Sequence, residues 1–89
     1  MMLIRELLGK KVVTVDGLDV GVIEDVQVSD DWRVQGLILR LTRVAAKEIG
    51  IRLSLRARGV VDTSLVKGIG DYVTVGVERS KLREFVKPL

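Results

Sequence analysis

The hydrophobic pattern of this chain is that of short strands separated by turns. Runs in which valine, isoleucine or leucine alternate with polar residues recur between glycine- or aspartate-containing breaks, as expected for strands with one buried face. The segments with this pattern are residues 10–15, 19–29, 33–41, 59–62 and 71–77. Asp16-Gly17 supplies the positive φ that a tight hairpin turn requires. The pattern predicts a mostly-β fold, a small closed barrel of about five or six antiparallel strands with one or two short helices, in a single domain over residues 1–89.

The second and third predicted strands each contain a break in their alternation. In the second strand, Glu24 falls on the face formed by Val20, Val22, Val26 and Val28. Because a buried carboxylate without a partner is destabilising, the pattern favours a β-bulge near residues 21–24 that turns Glu24 outward. A buried Glu24 held by a partner stays open as the alternative. In the third strand the phase changes at Gly36, where a glycine allows a sharp bend.

Two segments carry helical signals. Thr42 is placed to cap a short helix that runs to Ile49 and ends at Gly50. Ser80 is placed to cap a last helix ended by Pro88, with an apolar stripe at helical spacing formed by Leu82, Phe85, Val86 and Leu89. This stripe either closes one end of the barrel or forms a dimer interface, since a second copy would add burial that so small a core lacks.

Residues 51–58 fit two descriptions. Arginine and serine alternate there with leucine and alanine, as in a half-buried strand, but the segment could equally be a mobile loop. The same segment contains Arg52, Arg56 and Arg58, which with Arg40 and Arg43 could bind phosphate groups or a carboxylate-rich partner. The alternative is a solvated arginine face.

Charge is distributed unevenly along the chain. Residues 1–31 carry three basic and seven acidic side chains, whereas residues 32–61 carry seven basic and one acidic, within a net charge of +3. Such asymmetry suggests an acidic partner or association between unlike surfaces. RNA contact is a weaker expectation, because only Trp32, Tyr72 and Phe85 could stack on bases. Trp32 follows two aspartates in a turn, so it is either an exposed partner contact or folds back over the barrel rim.

Composition excludes several chemistries. The chain has no cysteine and no histidine, so thiolate catalysis, disulfides and the usual general base and metal ligand are absent. It also has no asparagine and more arginine than lysine, which is compatible with a thermophile. No apolar run is long enough for a membrane span, and we expect a soluble, cytoplasmic protein without a cofactor or metal.

Several of these segments together resemble the PRC-barrel family. The resemblance rests on LLGKKVVTVDG, DVGVIEDVQV, GLILRL and VKGIGDYVTV and covers about residues 7–77. That family includes the barrel domain of the ribosome maturation factor RimM, while TRVAAKEIGI is similar to the small stand-alone archaeal members. The resemblance implies a PRC-type β-barrel and a non-catalytic protein-interaction module. It also implies a dimeric adaptor in FtsZ/SepF-based archaeal cell division, recruited to the division site.

The same resemblance suggests partners and leaves one alternative function open. Expected partners are a SepF-like division protein or a paralogous PRC-barrel protein, in a homo- or heterodimer. The partner-binding candidates are Trp32, Arg52, Arg56 and Arg58, and the dimer-interface candidates are the four stripe residues Leu82, Phe85, Val86 and Leu89. The alternative is a ribosome- or RNA-associated factor resembling the barrel domain of RimM.

Overall fold

Seven short strands form one sheet in the computed structural model, which describes residues 1–52 and 57–89. The strands are β1 (Lys11–Thr14), β2 (Asp19–Val28), β3 (Val34–Leu41), β4 (Arg58–Asp62), β5 (Val66–Ile69), β6 (Tyr72–Val75) and β7 (Val86–Pro88). Their order in the sheet is β5-β6-β1-β2-β3-β4-β7. Three short helices, α1 (Ile4–Leu7), α2 (Arg43–Glu48) and α3 (Leu82–Phe85), and 3₁₀ turns at Thr63–Leu65 and Arg79–Lys81 complete the described chain.

The sheet curls but does not close, so the mostly-β prediction is confirmed and the closed barrel is wrong. Only the turn Thr63–Leu65 separates β4 from β5, although these strands lie near opposite edges of the sheet, and this short link forces the sheet to curl. Within the described residues β5 and β7 remain edge strands. Five or six antiparallel strands were predicted, but there are seven, and β1 pairs with β6 in parallel. The seventh strand and the parallel pair both depend on long-range pairing.

Three register shifts set which side chains of β2 enter the core: one at Glu24 and one between Gln27 and Val28 in the pairing with β3, and one in the pairing with β1. The register between β2 and β3 skips Glu24, whose side chain points outward, as predicted. The shift in the pairing with β1 lies next to Gly21. As a result Ile23 is fully buried, whereas Val22 is half-buried and Val28 is 46 % exposed, so the predicted four-valine face is wrong at these two positions.

Gly21 lies where β2 and β3 approach each other closely. Its φ is +154°, and a Cβ at this position would lie only 2.2 Å from the carbonyl oxygen of Arg40 on β3. A side chain there would push the two strands apart. The near contact therefore fixes glycine at a position where the strands approach closely.

The core fills the inside of the curl. Buried side chains come from every strand except β5, and the largest are Ile23, Leu39, Leu82, Val12, Val20, Val61, Val73, Val75 and Val86. Val73, Val75 and Val77 point inward as predicted. Burying each such side chain contributes about 1.5–3 kcal/mol relative to exposure, which offsets the entropy of ordering so small a chain.

Helix α2 follows the prediction closely. The Thr42 Oγ1 accepts a hydrogen bond from the backbone N–H of Ala45 at 3.1 Å. The helix ends at Glu48 with Ile49 as its C-terminal cap, and Gly50 follows with φ +83°. Ala45 and Ile49 are buried against the sheet, so this helix closes one end of the curl.

The predicted C-terminal helix forms only over Leu82–Phe85, and its predicted cap at Ser80 and its extension to Pro88 are wrong. After the 3₁₀ turn at Arg79–Lys81, α3 makes a single turn with no side-chain cap, and the chain then extends as β7. β7 pairs with β4, placing Val86 opposite Val61, and Pro88 lies on the edge strand, where a missing N–H is tolerated. Extended pairing wins because it satisfies backbone groups along the free edge of β4, which a helix cannot do.

Among the described residues, no helix has the length and apolar character needed to cross a bilayer.

Candidate interaction surfaces

The structure separates the side chains that the sequence singled out. Trp32 lies at one end of β3 and Arg58 pairs with the other end, about 20 Å away at the usual strand rise of ~3.3 Å per residue. Arg52 follows α2 at the Arg58 end and is exposed. Arg56 lies outside the described residues. The candidates therefore do not form one site.

The four stripe residues are also separated. Leu82 and Val86 are fully buried in the core of their own chain and present no surface to a partner. Phe85 is 41 % exposed and Leu89 is 66 % exposed, and both lie beside β7. Two of the four dimer-interface candidates thus remain accessible.

Phe85 and Leu89 belong to an apolar cluster on the outer face of the sheet. Ile38 on β3 and Val60 on β4 are directly opposite one another, point away from the core, and are half-buried. Phe85 and Val60 line a groove of about 600 Å³, and Ile38 and Leu89 line a second of about 280 Å³. We call Ile38, Val60, Phe85 and Leu89 the outer-face cluster. No described segment of the chain covers it.

A forked ion pair borders the outer-face cluster. Arg58 Nε donates to Glu24 Oε2 at 3.0 Å, and a terminal guanidinium nitrogen of Arg58 donates to Glu24 Oε1 at 2.7 Å. The hydrogen bond and charge of Glu24 raise the pKa of Arg58 further above its usual value. Both side chains are about one-third exposed, so the pair forms a fixed polar rim. Glu24 is paired but not buried, and Arg58 is less available to a partner than the sequence suggested.

A second surface is basic. Arg40, Arg43, Lys47 and Arg52 are exposed around α2, and none forms an ion pair with another described residue. We call these four residues the basic end. The nearby Glu48 is paired with Arg79, with a shortest N–O distance of 2.8 Å. The unpaired cations leave this end of the molecule positively charged.

Trp32 projects from the turn between β2 and β3. Its side chain is 89 % exposed, so the alternative that it folds back over the rim is wrong. Its φ of +65° makes it the one described residue other than glycine with a left-handed backbone. The turn is held locally, because the N–H of Trp32 donates to the Ser29 carbonyl at 2.9 Å and that of Ser29 to the Arg33 carbonyl at 2.8 Å.

An apolar groove lies where the sheet fails to close. It has a volume of about 370 Å³ and lies between β3, β5 and β6, with α1 at its side. We call it the seam groove, and its apolar lining residues are Leu7, Val34, Leu37, Val66, Ile69 and Val73. Thr63 tethers the seam at one side, since its hydroxyl donates to the Val34 carbonyl at 2.9 Å.

The polar groups of the described chain stabilise turns. A Thr14 hydroxyl, with the Arg79 backbone N–H, lowers the pKa of Asp16, and the N–H of Ser64 lowers that of Asp62. Asp62 holds a local turn, whereas Asp16 also links its turn to the backbone of Arg79. No cluster of three acidic side chains that could hold a metal occurs within residues 1–52 and 57–89.

Sequence reasoning missed the seam groove and half of the outer-face cluster. Ile38 sits between the inward-facing Leu37 and Leu39, and Val60 precedes the inward-facing Val61. Apolar residues in the outward phase of two strands were a visible signal of a second apolar face. The seam groove had no such signal, since it depends on how the sheet curls.

Comparison with known proteins identifies the family to which this chain belongs. No curated protein gives a significant match to the chain. The PRC-barrel domain model matches residues 1–77 of the 89, from α1 to the end of the strand segment that contains β6. The match covers the curled sheet and its seam and stops before α3 and β7. The chain belongs to the PRC-barrel domain family.

Proposed function

We propose that this protein is a non-catalytic protein-interaction module that acts as a dimeric adaptor in FtsZ/SepF-based archaeal cell division. The outer-face cluster carries the proposal. Two exposed apolar side chains, Phe85 and Leu89, flank a half-buried pair, Ile38 and Val60, on the outer face of the sheet. An apolar centre inside a polar rim is the usual composition of a protein interface.

The shape of this face suits a protein better than a small molecule. Small-molecule sites are enclosed and bury most of their ligand. The two grooves beside the cluster are open on the sheet surface, and their borders are polar, with Gln27, Asp62 and Lys87 on one side and the Glu24–Arg58 pair on the other. A partner that covers Phe85 and Leu89 would meet polar groups around them, of which Asp62 and the Glu24–Arg58 pair are already hydrogen-bonded.

A role in cell division implies a particular kind of protein that would bind the outer-face cluster. The family membership and the resemblance to small archaeal members support a SepF-like protein or a paralogous PRC-barrel protein as the occupant. The absence of histidine and cysteine from the sequence supports a role without catalysis. A dimeric adaptor would present two copies of the outer-face cluster and so bind a multimeric division protein with increased avidity.

The test is titration calorimetry with purified archaeal SepF. Phe85→Ser and Leu89→Ser should each weaken binding by about tenfold, as expected for an exposed apolar anchor. Val44→Ser is the matched control, because Val44 is 45 % exposed but lies on α2, away from the cluster. Absence of binding to SepF, or equal effects of the three variants, would contradict the proposal.

A second function is favoured by the basic end. The unpaired Arg40, Arg43 and Arg52 support a ribosome- or RNA-associated factor, since cations that contact phosphates release counterions. This function predicts retention on ribosomal RNA that falls steeply with salt. Arg43→Glu should weaken the retention and lower its dependence on salt while leaving SepF binding unchanged, and no retention at low salt would remove this candidate.

A further inference from the structure

Trp32 occupies a turn position that its own fold does not require it to fill. The loop of residues 30–32 joins Ser29 to Arg33, and the left-handed residue of such a three-residue hairpin loop is normally glycine. A bulky side chain at positive φ is strained. The indole gains nothing in return within the described chain, because it is 89 % exposed. Strain at an exposed aromatic points to a contact outside the chain.

The seam groove has the size and chemistry to receive that indole. Its volume of about 370 Å³ is at the lower end of the range of small-molecule sites, roughly 300–1,000 Å³. Its walls are apolar, and Ile69 at its rim is 48 % exposed. A single aromatic side chain would cover Ile69 and contact the buried Val73 at the base.

The position of Trp32 beside the groove permits a symmetric exchange. Val34 lines the groove and is only two residues from Trp32. When an anchor and its pocket lie next to each other on one surface, a two-fold axis between them places each anchor in the pocket of the other copy. Such a contact closes on itself and ends at a dimer.

Charge complements this arrangement. The turn carries two acidic residues, Asp30 and Asp31, and one basic residue, Arg33, so its net charge is negative. Arg33 forms an ion pair with Asp31, with 3.3 Å between the Arg33 Nε and a carboxylate oxygen. The elements α1, β5 and β6, which line the groove, carry a small positive charge, with Arg5 and Lys67 against Glu6. An acidic turn that approaches a basic rim favours the encounter.

We propose that two copies of this chain form a two-fold dimer in which the Trp32 side chain of each copy fills the seam groove of the other. This inference rests on the dimeric part of the proposed function and gives it an interface. It assigns self-association to Trp32 and leaves Phe85 and Leu89 free for the division partner. Two tryptophans, each burying about 150–250 Å² and covering a similar groove area, account for roughly 600–1,000 Å², which is below the ~1,200 Å² of stable interfaces and predicts a weak, concentration-dependent dimer.

The first test uses the fluorescence of Trp32, which is the only tryptophan in the chain. Emission spectra and acrylamide quenching are measured over a protein concentration series, with light scattering to follow the mass. We expect the emission to shift to shorter wavelength and the quenching to fall severalfold as the dimer forms. A dimer with the emission of exposed tryptophan would overturn the inference but leave the dimeric adaptor intact. A chain that stays monomeric would overturn both.

The second test removes anchor and pocket separately. Trp32→Gly removes the indole, and Ile69→Lys places a charge at the groove rim. Each should weaken self-association by at least about tenfold, the usual loss at an interface anchor. Val44→Lys, which changes an equally exposed apolar residue on α2, is the control and should have no effect. Circular dichroism establishes that each variant is folded.

Mixing the two variants gives the decisive result. Trp32→Gly keeps an intact groove, and Ile69→Lys keeps an intact indole, so a mixed pair can form one of the two contacts that neither variant can form with itself. The mixture should therefore associate more tightly than either variant alone, with the Trp32 emission shifted to shorter wavelength. Equal, weak association in the mixture would overturn the inference, whatever the effect of the single variants. Binding to SepF through Phe85 is measured in parallel and should survive in both variants.

Discussion

The two hairpin turns at the ends of β2 use opposite kinds of residue at a position with a left-handed backbone. Between β1 and β2, Gly17 adopts φ +88°, and between β2 and β3, Trp32 adopts φ +65°. Glycine enters this region without strain, whereas a tryptophan does so at a cost of about 1–2 kcal/mol. The first turn is built for the stability of the fold, and the second gives up stability to present a side chain.

The two turns also differ in how far their hydrogen bonds reach along the chain. Asp16 in the first turn accepts from the Thr14 hydroxyl at 2.6 Å and from the backbone N–H of Arg79 at 3.1 Å, so it links the hairpin to the chain before α3. The second turn bonds only within residues 29–33 among the described residues. One turn is part of the global fold, and the other is a local projection that can change without disturbing it.

The largest effect on stability is expected when a side chain is added at Gly17 in the first turn, which tests whether that turn requires glycine. Gly17→Val should lower the free energy of unfolding by about 2 kcal/mol, and Tm by roughly 8–16 °C, because a β-branched residue at positive φ is strongly strained. A Cβ at Gly17 meets no atom within 4 Å, so the loss comes from the backbone alone. Thermal unfolding measures it. Gly70→Val is the control, since Gly70 is equally open but has no positive φ. Equal losses would show that the Gly17 conformation costs little.

The second change removes the bonds that integrate the first turn. The Thr14 hydroxyl is buried and accepts from the N–H of Leu18 at 2.9 Å while donating to Asp16. Thr14→Val should destabilise the protein by about 1–2 kcal/mol, because it leaves a part-buried N–H without its acceptor. Thr74→Val on the paired strand β6 is the control, as the Thr74 side chain makes no hydrogen bond in the described chain. A Thr14→Val protein as stable as Thr74→Val would refute the role assigned to this hydroxyl.

The third change is in pH. The hydrogen bond from Thr14, with the backbone N–H of Arg79, holds the pKa of Asp16 below its ordinary value of 3.8. Its stabilising contribution is therefore complete above about pH 3.8 and is lost as the pH falls through the lower, folded-state pKa. Asp16→Asn should be less stable than the unchanged protein at neutral pH, with the difference narrowing in acid. The control is Asp30→Asn in the Trp32 turn, and a constant difference for Asp16→Asn would contradict the assignment.

Local chemistry explains which elements the sequence predicted well. Gly17 in its turn and the α2 helix between Thr42 and Gly50 depend on residues within a few positions of each other, and both were found. The C-terminal stripe has helical spacing, yet pairing of β7 with β4 decides its conformation, and no local signal reports that pairing. The same holds for the parallel β1–β6 pair and for the open seam.

In the candidate interaction surfaces, too, local features could be predicted from the sequence and long-range ones could not. The outward position of Glu24 followed from the cost of burying a carboxylate, and the structure adds its partner, Arg58, from a strand 34 residues away. Trp32 was predicted to be a partner contact because a large apolar ring follows two aspartates in a turn, and the contact itself stays a prediction. Its left-handed backbone could not be predicted, because glycine or asparagine is the residue type that signals this conformation.

The smallest effect, and the one opposite in sign, is expected at Trp32. Trp32→Gly should raise the free energy of unfolding of the monomer by about 0.5–1 kcal/mol, since relief of backbone strain exceeds the entropy that glycine adds to the unfolded chain. Trp32→Ala is the matched control, because it removes the indole but keeps the Cβ and its strain. Unfolding by denaturant at concentrations where the protein is monomeric separates the two. A variant pair of equal stability would mean that the turn holds its tryptophan without strain. A loss of stability in both would mean that the indole supports its own fold, and the contrast between the two turns would then disappear.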